Sequence, residues 1–225
     1  MLKLGRSGTR SGGEGERSLR VVIEPLGESE VVEEYSVWGE VARVVIVREG
    51  AKLRYFVVEE PLSADERRVL ERVIGKLRQK LVSRRIGGEW SSSLAKLAEM
   101  EAERLFRSFS VNVDRLLYYL QRDYLGYGPV HAMVLDPNLE DISCNGVGIP
   151  VYVWHRKYES LETNVTIMDR EYLRSLIRSI AAKCGRHISA AFPTLDATMP
   201  EGYRFAATLD EVSARGCLLY TSPRP

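Results

Sequence analysis

Two runs of apolar and β-branched side chains, separated by a turn, dominate residues 35–60. The first run contains Val41 and residues 44–47, and the second contains Leu53 and residues 55–58. The dipeptide Glu49-Gly50 lies between them, and glycine is common in such turns. Because β-branched and aromatic residues favour strands, this pattern predicts a β-hairpin.

Between residues 62 and 126 the apolar positions recur every three or four residues, which is typical of amphipathic helices. Ser63 and Glu66 form a capping box at the start of the first helix. The second helix is predicted to begin near residues 91–93 and the third near Asn112, with Gly126 as the C-terminal cap of the third. The predicted apolar faces are Val69, Leu70, Val73, Ile74, Leu77 and Leu81, then Leu94, Leu97, Leu105 and Phe106, and then Leu116, Leu117, Leu120 and Tyr124. A small three-helix bundle is therefore expected.

After Gly126 the pattern changes to short strands mixed with one helix. The predicted strands cover 141–144, 151–154, 164–167 and, after a turn at 200–202, 203–209. Asp169 is placed to cap the helix. The apolar stripe of this helix is formed by Leu173, Leu176, Ile177 and Ile180.

These patterns predict an α+β fold, in which a β-hairpin region and a small helical bundle precede a PAS-like α/β sheet domain. The expected divisions are 1–34, disordered or irregular; 35–126, hairpin and three-helix bundle; 127–216, the α/β domain; and 217–225, a non-native or truncated tail. The first twenty residues are rich in Gly, Ser, Arg and Glu and carry few apolar side chains, which is typical of a disordered segment.

Charge and composition narrow the class of protein. The chain has 225 residues, with 32 basic and 31 acidic side chains and a formal net charge of +1. This balance argues against a general nucleic-acid binder, which carries a basic surplus, and we expect no sequence-specific nucleic-acid partner. No apolar run approaches the roughly 20 residues that cross a bilayer, and the N-terminus lacks the apolar core of a signal peptide. A cytoplasmic chain without a transmembrane segment is therefore expected.

Neither the cysteines nor the histidines are spaced as metal ligands. Cys144, Cys184 and Cys217 form no CxxC pair, and the three histidines show no ligand spacing, so we expect free thiols and no metal site. The sequence also contains no GxxxxGK(S/T), GxGxxG, GxSxG or HExxH motif, and no catalytic residue is assigned. This absence supports a binding or scaffold role, or a fragment of a larger protein.

Five runs of sequence carry a resemblance to a known family. They are YLGYG (124–128), DPNLEDISCNG (136–146), PVYVWHRKY (150–158), KCGRHIS (183–189) and PTLDATMPEGYR (193–204). In order and spacing they resemble the N-terminal region of archaeal type II/type IV secretion ATPases of the GspE-like family, over residues 35–216. After Gly216 the family's FTIRK segment is replaced by residues 217–225. We therefore expect a parent protein cut off before its RecA-like ATPase domain.

The resemblance implies a part of a hexameric motor that assembles a pilus or an archaellum-like filament, or powers secretion. In this family the N-terminal domain packs on the RecA-like domain of a neighbouring subunit, contributes arginine to bound ATP and couples hydrolysis to domain motion. The full-length parent is thus expected to bind ATP and Mg, whereas this chain alone binds neither and does not hydrolyse ATP. The implied partners are five further copies of the parent and a platform protein at the cytoplasmic face of the membrane.

Arg204 opens the last predicted strand, directly after the turn at residues 200–202. An arginine in this place either clamps a phosphate through its planar fork of donors or forms an ordinary surface ion pair. The resemblance favours the phosphate role, because GxR is the family's position for a nucleotide-contacting arginine. Arg204 is therefore assigned as a phosphate contact in the assembled parent.

Four acidic residues near these motifs are interpreted structurally. Glu140 and Asp141 are neighbours on a strand and are expected to face opposite sides, which argues against a shared acid–base role. Asp196 and Glu201 are expected to form ion pairs or to shape the turn before Arg204.

The basic cluster 155–157 is interpreted as a surface or subunit contact, and the tyrosine pair 118–119 as core and rim. Two functional alternatives stay open beside the motor: a stand-alone adaptor, and a nucleotide-sensing interaction module of a membrane-associated assembly machine. The substrate or filament that the parent handles does not follow from the residues.

Overall fold

Apolar and β-branched residues near the N-terminal end of the chain form four strands. A computed structural model describes residues 20–83, 92–209 and 218–222. The strands are β1 (Val21–Ile23), β2 (Glu30–Trp38), β3 (Ala42–Glu49) and β4 (Lys52–Glu59). β3 and β4 form the predicted hairpin, and Gly50 occupies its turn with a φ of 62°, in the region that favours glycine.

The prediction that residues 1–34 are disordered or irregular is wrong for β1 and for the first residues of β2. β1 pairs with a strand late in the chain, and β2 pairs with β3 from Glu30 onwards. β2 lies at the edge of the sheet, and its glutamates break the apolar pattern, as is common in edge strands. Residues 1–19 lie outside the described residues.

Three helices follow the hairpin, as predicted. They are α1 (Ala64–Ser83), α2 (Ser92–Phe106) and α3 (Val113–Leu120). The capping box of α1 is confirmed, because the Ser63 N–H donates to Glu66 Oε2 at 2.9 Å and the Glu66 N–H donates to Ser63 Oγ at 3.2 Å. Asn112 caps α3, and its side chain accepts from the Arg115 N–H at 3.0 Å.

The helices share a buried core with Val41 and Ala42 of the hairpin region, but two predicted positions are wrong. Leu97 is 55% exposed and Tyr124 is 42% exposed. The buried face of α2 is built from Ala98, Ala102 and Phe106, since small alanines let helices approach closely. The side chains of Leu81 and Leu94 lie outside the described residues. The buried members of this core are Val41, Ala42, Leu70, Val73, Ile74, Leu77, Ala102, Phe106, Leu116, Tyr118, Tyr119 and Leu120.

The end of α3 departs from the expected left-handed cap. The chain continues as a π-helical turn, Gln121–Leu125, and Gly126 ends it with a φ of −105°. Glycine is required here by close approach instead, because a Cβ on Gly126 would lie 2.3 Å from the Gln121 carbonyl oxygen. A 3-10 turn, Gly128–Val130, then leads into the short helix α4 (His131–Leu135).

The second half of the chain has the mixed pattern that the sequence predicts. Its elements are β5 (Leu139–Cys144), β6 (Pro150–His155), β7 (Glu159–Ile167), α5 (Arg170–Lys183), β8 (Thr194–Thr198), β9 (Arg204–Thr208) and β10 (Leu218–Ser222). Asp169 caps α5 and accepts from the Tyr172 N–H at 2.9 Å, as predicted. β8 was not predicted from its short PTLDAT sequence.

The strands of the described residues, ten in number, join one mixed sheet. Their order is β2-β3-β4-β7-β6-β5-β10-β9-β8, with β1 beside β7. β4 and β7 run parallel, with Arg54 opposite Glu162, and the other pairs are antiparallel. Together with the five α-helices, this sheet confirms the predicted α+β fold.

The hairpin and the later strands share one core. Val44 and Tyr55 of the hairpin belong to the same buried cluster as Leu161 of β7 and Ile177 of α5. The parallel contact between β4 and β7 therefore makes the hairpin part of the same sheet and core as residues 139–209.

The expected tail at 217–225 includes a strand of this sheet. Leu219 of β10 lies opposite Cys144 of β5 on one side and Ala207 of β9 on the other, and it is 1% exposed. Whether residues 217–225 are native stays a prediction.

Candidate functional site

Arg204 is the first residue of β9 and follows a tight turn, as predicted. The Met199 N–H donates to the Tyr203 carbonyl at 2.8 Å, and the Gly202 N–H donates to the Met199 carbonyl at 2.9 Å. Gly202 has a φ of 92°, which requires a residue without a Cβ. The turn therefore determines where β9 begins and where Arg204 leaves the backbone.

Strand alternation directs Arg204 away from the core. Phe205 and Ala207 are buried in the main cluster, whereas Arg204 lies on the opposite face of the strand. Ala206 is its neighbour along the strand on that face, and it lies between Asp196 of β8 and Tyr220 of β10. An open depression of about 240 Å³ lies on the same part of the sheet, lined by Thr194, Leu195, Asp196, Ala206, Ala207, Thr208 and Tyr220.

Asp196 of β8 holds the Arg204 guanidinium in a two-point ion pair. Arg204 Nε donates to Asp196 Oδ1 at 3.1 Å, and Nη2 donates to Oδ2 at 2.7 Å. The side chains are 61% and 58% exposed, so the pair faces solvent. This hydrogen-bonded charge partner raises the pKa of Arg204 above its usual value. The ion pairing expected for Asp196 is therefore confirmed.

Glu201 anchors the turn to the end of the helical segment. Its carboxylate accepts a hydrogen bond from the Tyr127 hydroxyl. The Lys183 ammonium lies 4.6 Å from the centre of the Tyr127 ring and donates to the Gly126 carbonyl. Burial lowers the pKa of Lys183 to about 8. The turn before Arg204 is thus tied to the YLGYG run, which confirms a structural role for Glu201.

Glu140 and Asp141 do not form a joint site. A register irregularity between β5 and β6 falls at these residues, and both are exposed. Glu140 pairs with Arg156 at 3.8 Å. Burial and the neighbouring Glu140 raise the pKa of Asp141.

The surface position expected for residues 155–157 needs correction at His155 alone. His155 is buried, and its Nδ1 accepts from the Lys157 N–H at 3.1 Å. Arg156 pairs with Glu140, and Lys157 pairs with Glu33 at 3.0 Å. Arg156 and Lys157 are 60% and 64% exposed, in agreement with a surface position, and a subunit contact stays a prediction.

Tyr118 and Tyr119 are both buried, so the second is not a rim residue. The Tyr118 hydroxyl donates to Glu59, and the Tyr119 hydroxyl donates to the Glu60 carbonyl at 3.0 Å. These bonds tie α3 to the end of β4.

Sequence reasoning missed a buried polar network around Asp136, which is 2% exposed. Its Oδ2 accepts from the Tyr35 hydroxyl at 2.7 Å and from the Tyr55 hydroxyl at 2.8 Å. His155 Nε2 lies 3.3 Å from the Tyr35 hydroxyl. No local signal in the sequence indicates this network, because its hydrogen bonds join residues that are 81 and 101 positions apart in the chain. This network joins β2 and β4 to the segment just before β5.

The described residues do not meet the requirements of a metal site, a disulfide or a membrane-spanning helix. There, no group of three or more His, Cys, Asp and Glu side chains is arranged to hold a metal ion. Cys144 and Cys184 are free thiols, and Cys217 lies outside the described residues. Within the same ranges, none of the helices combines the length and the apolar character needed to cross a bilayer.

Comparison with known proteins gives relatives in one archaeon. An uncharacterized protein, MJ1288, of Methanocaldococcus jannaschii is 32% identical over 198 residues, which is 85% of this chain and 78% of that protein. Two further proteins of the same organism, MJ0781 and MJ0900, are 39% and 36% identical over 92 and 91 residues. The chain covers only 13% and 16% of their lengths. No family model matches the chain.

Among solved structures, the VirB11 ATPase of the Brucella suis type IV secretion system, in complex with sulphate, is similar over part of the chain. The TM-score is 0.37 at 20% sequence identity, with 48% of this chain and 31% of that chain covered.

Proposed function

The chain belongs to the same family as the Methanocaldococcus jannaschii protein MJ1288, and we propose that it is the N-terminal domain of a hexameric secretion or pilus-assembly ATPase. In this proposal the domain packs on the RecA-like domain of a neighbouring subunit and supplies Arg204 to bound ATP. The motif order over residues 124–204 supports the assignment, since the five runs resemble those of the GspE-like ATPases.

The observation that carries the proposal is the placement of Arg204. It stands at the start of a strand, after a glycine turn, on a face of the sheet turned away from the core. A guanidinium is always charged, and its flat fork suits phosphate oxygens, where charge accumulates during phosphoryl transfer. The exposed Arg204 thus has the chemistry and the access to reach a nucleotide on another surface.

ATP and Mg belong to the RecA-like domain of the parent in this proposal. The sequence has no phosphate loop, so the residues of this chain do not cradle the phosphates. Arg204 would instead contact the phosphates of a nucleotide bound to the RecA-like domain of a neighbouring subunit. The parent hexamer would stand at the cytoplasmic face of the membrane, on a platform protein, and couple hydrolysis to motion of this domain.

A second candidate is a stand-alone adaptor or nucleotide-sensing module. The match to MJ1288 covers most of that protein, which favours a protein of this size without a RecA-like domain in the same polypeptide. The matches to MJ0781 and MJ0900 favour the opposite, because a related segment there forms a small part of a much longer chain.

The test is ATP hydrolysis by the complete native protein that contains this chain. Arg204→Ala should lower the rate by roughly 10³-fold or more, as for arginines that act as fingers. Arg204→Lys should restore little activity, because an ammonium is a point charge without the fork.

The matched control is Arg156→Ala. Arg156 is 60% exposed and also pairs with a carboxylate, and its loss should leave the rate unchanged. A native protein that does not hydrolyse ATP, or an Arg204→Ala variant with the native rate, would exclude the phosphate role of Arg204.

A further inference from the structure

We propose that Asp196 is a positioning residue for Arg204: it orders the guanidinium and leaves its outer edge to meet phosphate. This inference rests on the proposed function, and it assigns a role to a carboxylate that does not itself touch the nucleotide. It follows from the atoms that form the ion pair and from the fixed surroundings of Arg204.

The strand register brings the two side chains together. Asp196 lies opposite Ala206, and Arg204 lies opposite Thr198, so Asp196 and Arg204 are diagonal neighbours on one face of the hairpin. Diagonal neighbours on a sheet are within reach of long side chains. Because Ala206 is small, the Arg204 side chain can lie across it to the carboxylate.

The atoms used in the pair decide what remains for a ligand. A guanidinium has five N–H donors, and Asp196 accepts from Nε and from one N–H of Nη2. In the described part of the chain, Nη1 of Arg204 makes no hydrogen bond. Three donors, on Nη1 and Nη2, therefore face outward along the edge that a phosphate oxygen pair would occupy.

The backbone beneath Arg204 is held on several sides. β9 lies between β8 and β10, Gly202 shapes the turn, and Glu201 ties that turn to Tyr127. The main freedom left is rotation of the exposed arginine side chain. Asp196 removes it before the nucleotide arrives, and ordering one such side chain corresponds to about a two- to tenfold effect.

A competing effect has the opposite sign. The Asp196 charge also repels phosphate, so its removal would strengthen binding if repulsion dominated. The carboxylate and the phosphate would lie on opposite edges of one guanidinium cation, and the pair is more than half exposed, so the cation between them and the solvent weaken this repulsion. The ordering of the guanidinium should therefore determine the outcome.

The test is a double-mutant cycle on ATP turnover by the complete native protein. Asp196→Ala should lower kcat about two- to tenfold with little change in the KM for ATP, and Asp196→Glu should restore part of the rate because it keeps a carboxylate. In the Arg204→Ala background, Asp196→Ala should cause no further loss, since its effect passes through Arg204. Glu140→Ala, which breaks the exposed pair with Arg156, is the matched control and should be silent.

A second readout uses the 225-residue chain itself. In its NMR spectrum the Arg204 Nε–H signal should exchange slowly with water in the native chain and in Glu140→Ala, and rapidly in Asp196→Ala. This signal reports whether Asp196 orders the guanidinium in solution, and slow exchange that persists in Asp196→Ala would overturn the positioning role.

The outcomes separate the two proposals. If Arg204→Ala is slow while Asp196→Ala keeps the native kcat or exceeds it, Asp196 does not position Arg204 and the proposed function stands. An additive loss in the double variant also excludes the positioning role, since Asp196 would then act on the fold. If Arg204→Ala itself hydrolyses ATP at the native rate, the proposed function fails and this inference fails with it.

Discussion

At the scale of single residues, His131 is buried without the partners that a buried imidazole needs. It is 4% exposed, and within the described residues neither ring nitrogen has a hydrogen-bond partner. The rings of Tyr118 and Tyr127 lie 5.9 and 6.1 Å from it. Burial, with Lys183 and Arg122 nearby, lowers the pKa of His131 to about 4.

This pKa predicts a pH-dependent loss of stability. The unfolded chain takes up a proton at His131 near pH 6.5 and the folded chain only near pH 4. His131 thus stabilises the fold fully above pH 6.5 and progressively less as the pH falls towards 4. His131→Phe should be at least as stable as the native chain at pH 7. On acidification its free energy of unfolding should fall less than that of the native chain, by an amount on the order of 3 kcal/mol.

Urea unfolding at pH 7 and pH 4.5 measures the difference. Parallel loss of stability in the His131→Phe and native chains would show that the buried imidazole does not titrate as described.

At the scale of elements, the junction between α3 and α4 depends on one glycine. A Cβ on Gly126 would lie 2.3 Å from the Gln121 carbonyl oxygen and 2.7 Å from His131 Nδ1. The π-helical turn brings that carbonyl against Gly126. Gly75, inside α1, has no atom within 4 Å of the corresponding position.

Two glycine-to-alanine changes should therefore have opposite effects. Gly126→Ala should destabilise the fold by about 1–3 kcal/mol through overpacking. Gly75→Ala should stabilise it by about 1 kcal/mol, because alanine is the better helix former. Urea unfolding of both variants gives the comparison, and an unchanged midpoint for Gly126→Ala would contradict the close approach at this turn.

At the scale of the whole molecule, Asn164 joins the hairpin to the rest of the sheet. β7 pairs with β4 through residues 162–163 and with β1 through residues 165–167, and Asn164 lies between these two stretches. Its side chain accepts from the Val57 N–H at 2.9 Å and donates to the carbonyls of Val57 and Glu24 at 3.0 and 2.9 Å. The Asn164 side chain thus links β7 to Val57 of β4 and to Glu24, just after β1.

Asn164→Leu should destabilise the protein by about 2–4 kcal/mol, because it leaves the buried N–H and carbonyl of Val57 without their partner. Hydrogen exchange should accelerate at Val57 before the amides of α5 are affected. Asn145→Leu is the control, since within the described ranges the Asn145 side chain accepts from the hydroxyls of Ser143 and Tyr220 and bonds no backbone group. If Asn164→Leu unfolds at the native urea concentration, the hairpin is held by other contacts.

The same particulars show how far the sequence predicts the fold and the site. Caps and helices were predictable because their determinants are local. The side chains of Ser63, Asn112 and Asp169 each accept a hydrogen bond from the backbone N–H three residues later. The Glu66 carboxylate in turn accepts from the Ser63 N–H. The turn at 200–202 and the outward direction of Arg204 follow from glycine and strand alternation in the same way.

The remaining features depend on contacts between residues far apart in the chain. Nothing local to Asn164 indicates that it bonds Val57, and nothing local to Asp136 indicates two tyrosines. The exposed Leu97 and the buried Ala102 show the same limit, since the face of α2 depends on how closely its neighbours pack.

The sequence by itself determined the helices, the hairpin, the turn before Arg204 and the resemblance to secretion ATPases, because each resides in short spans of neighbouring residues. Only the tertiary structure decided that the hairpin pairs with β7, that Arg204 forms its ion pair with Asp196 and that the Tyr127 hydroxyl donates to Glu201. The physical reason is that strand pairing and ion pairing across the sheet are chosen by burial and register of the whole chain, which no single segment encodes.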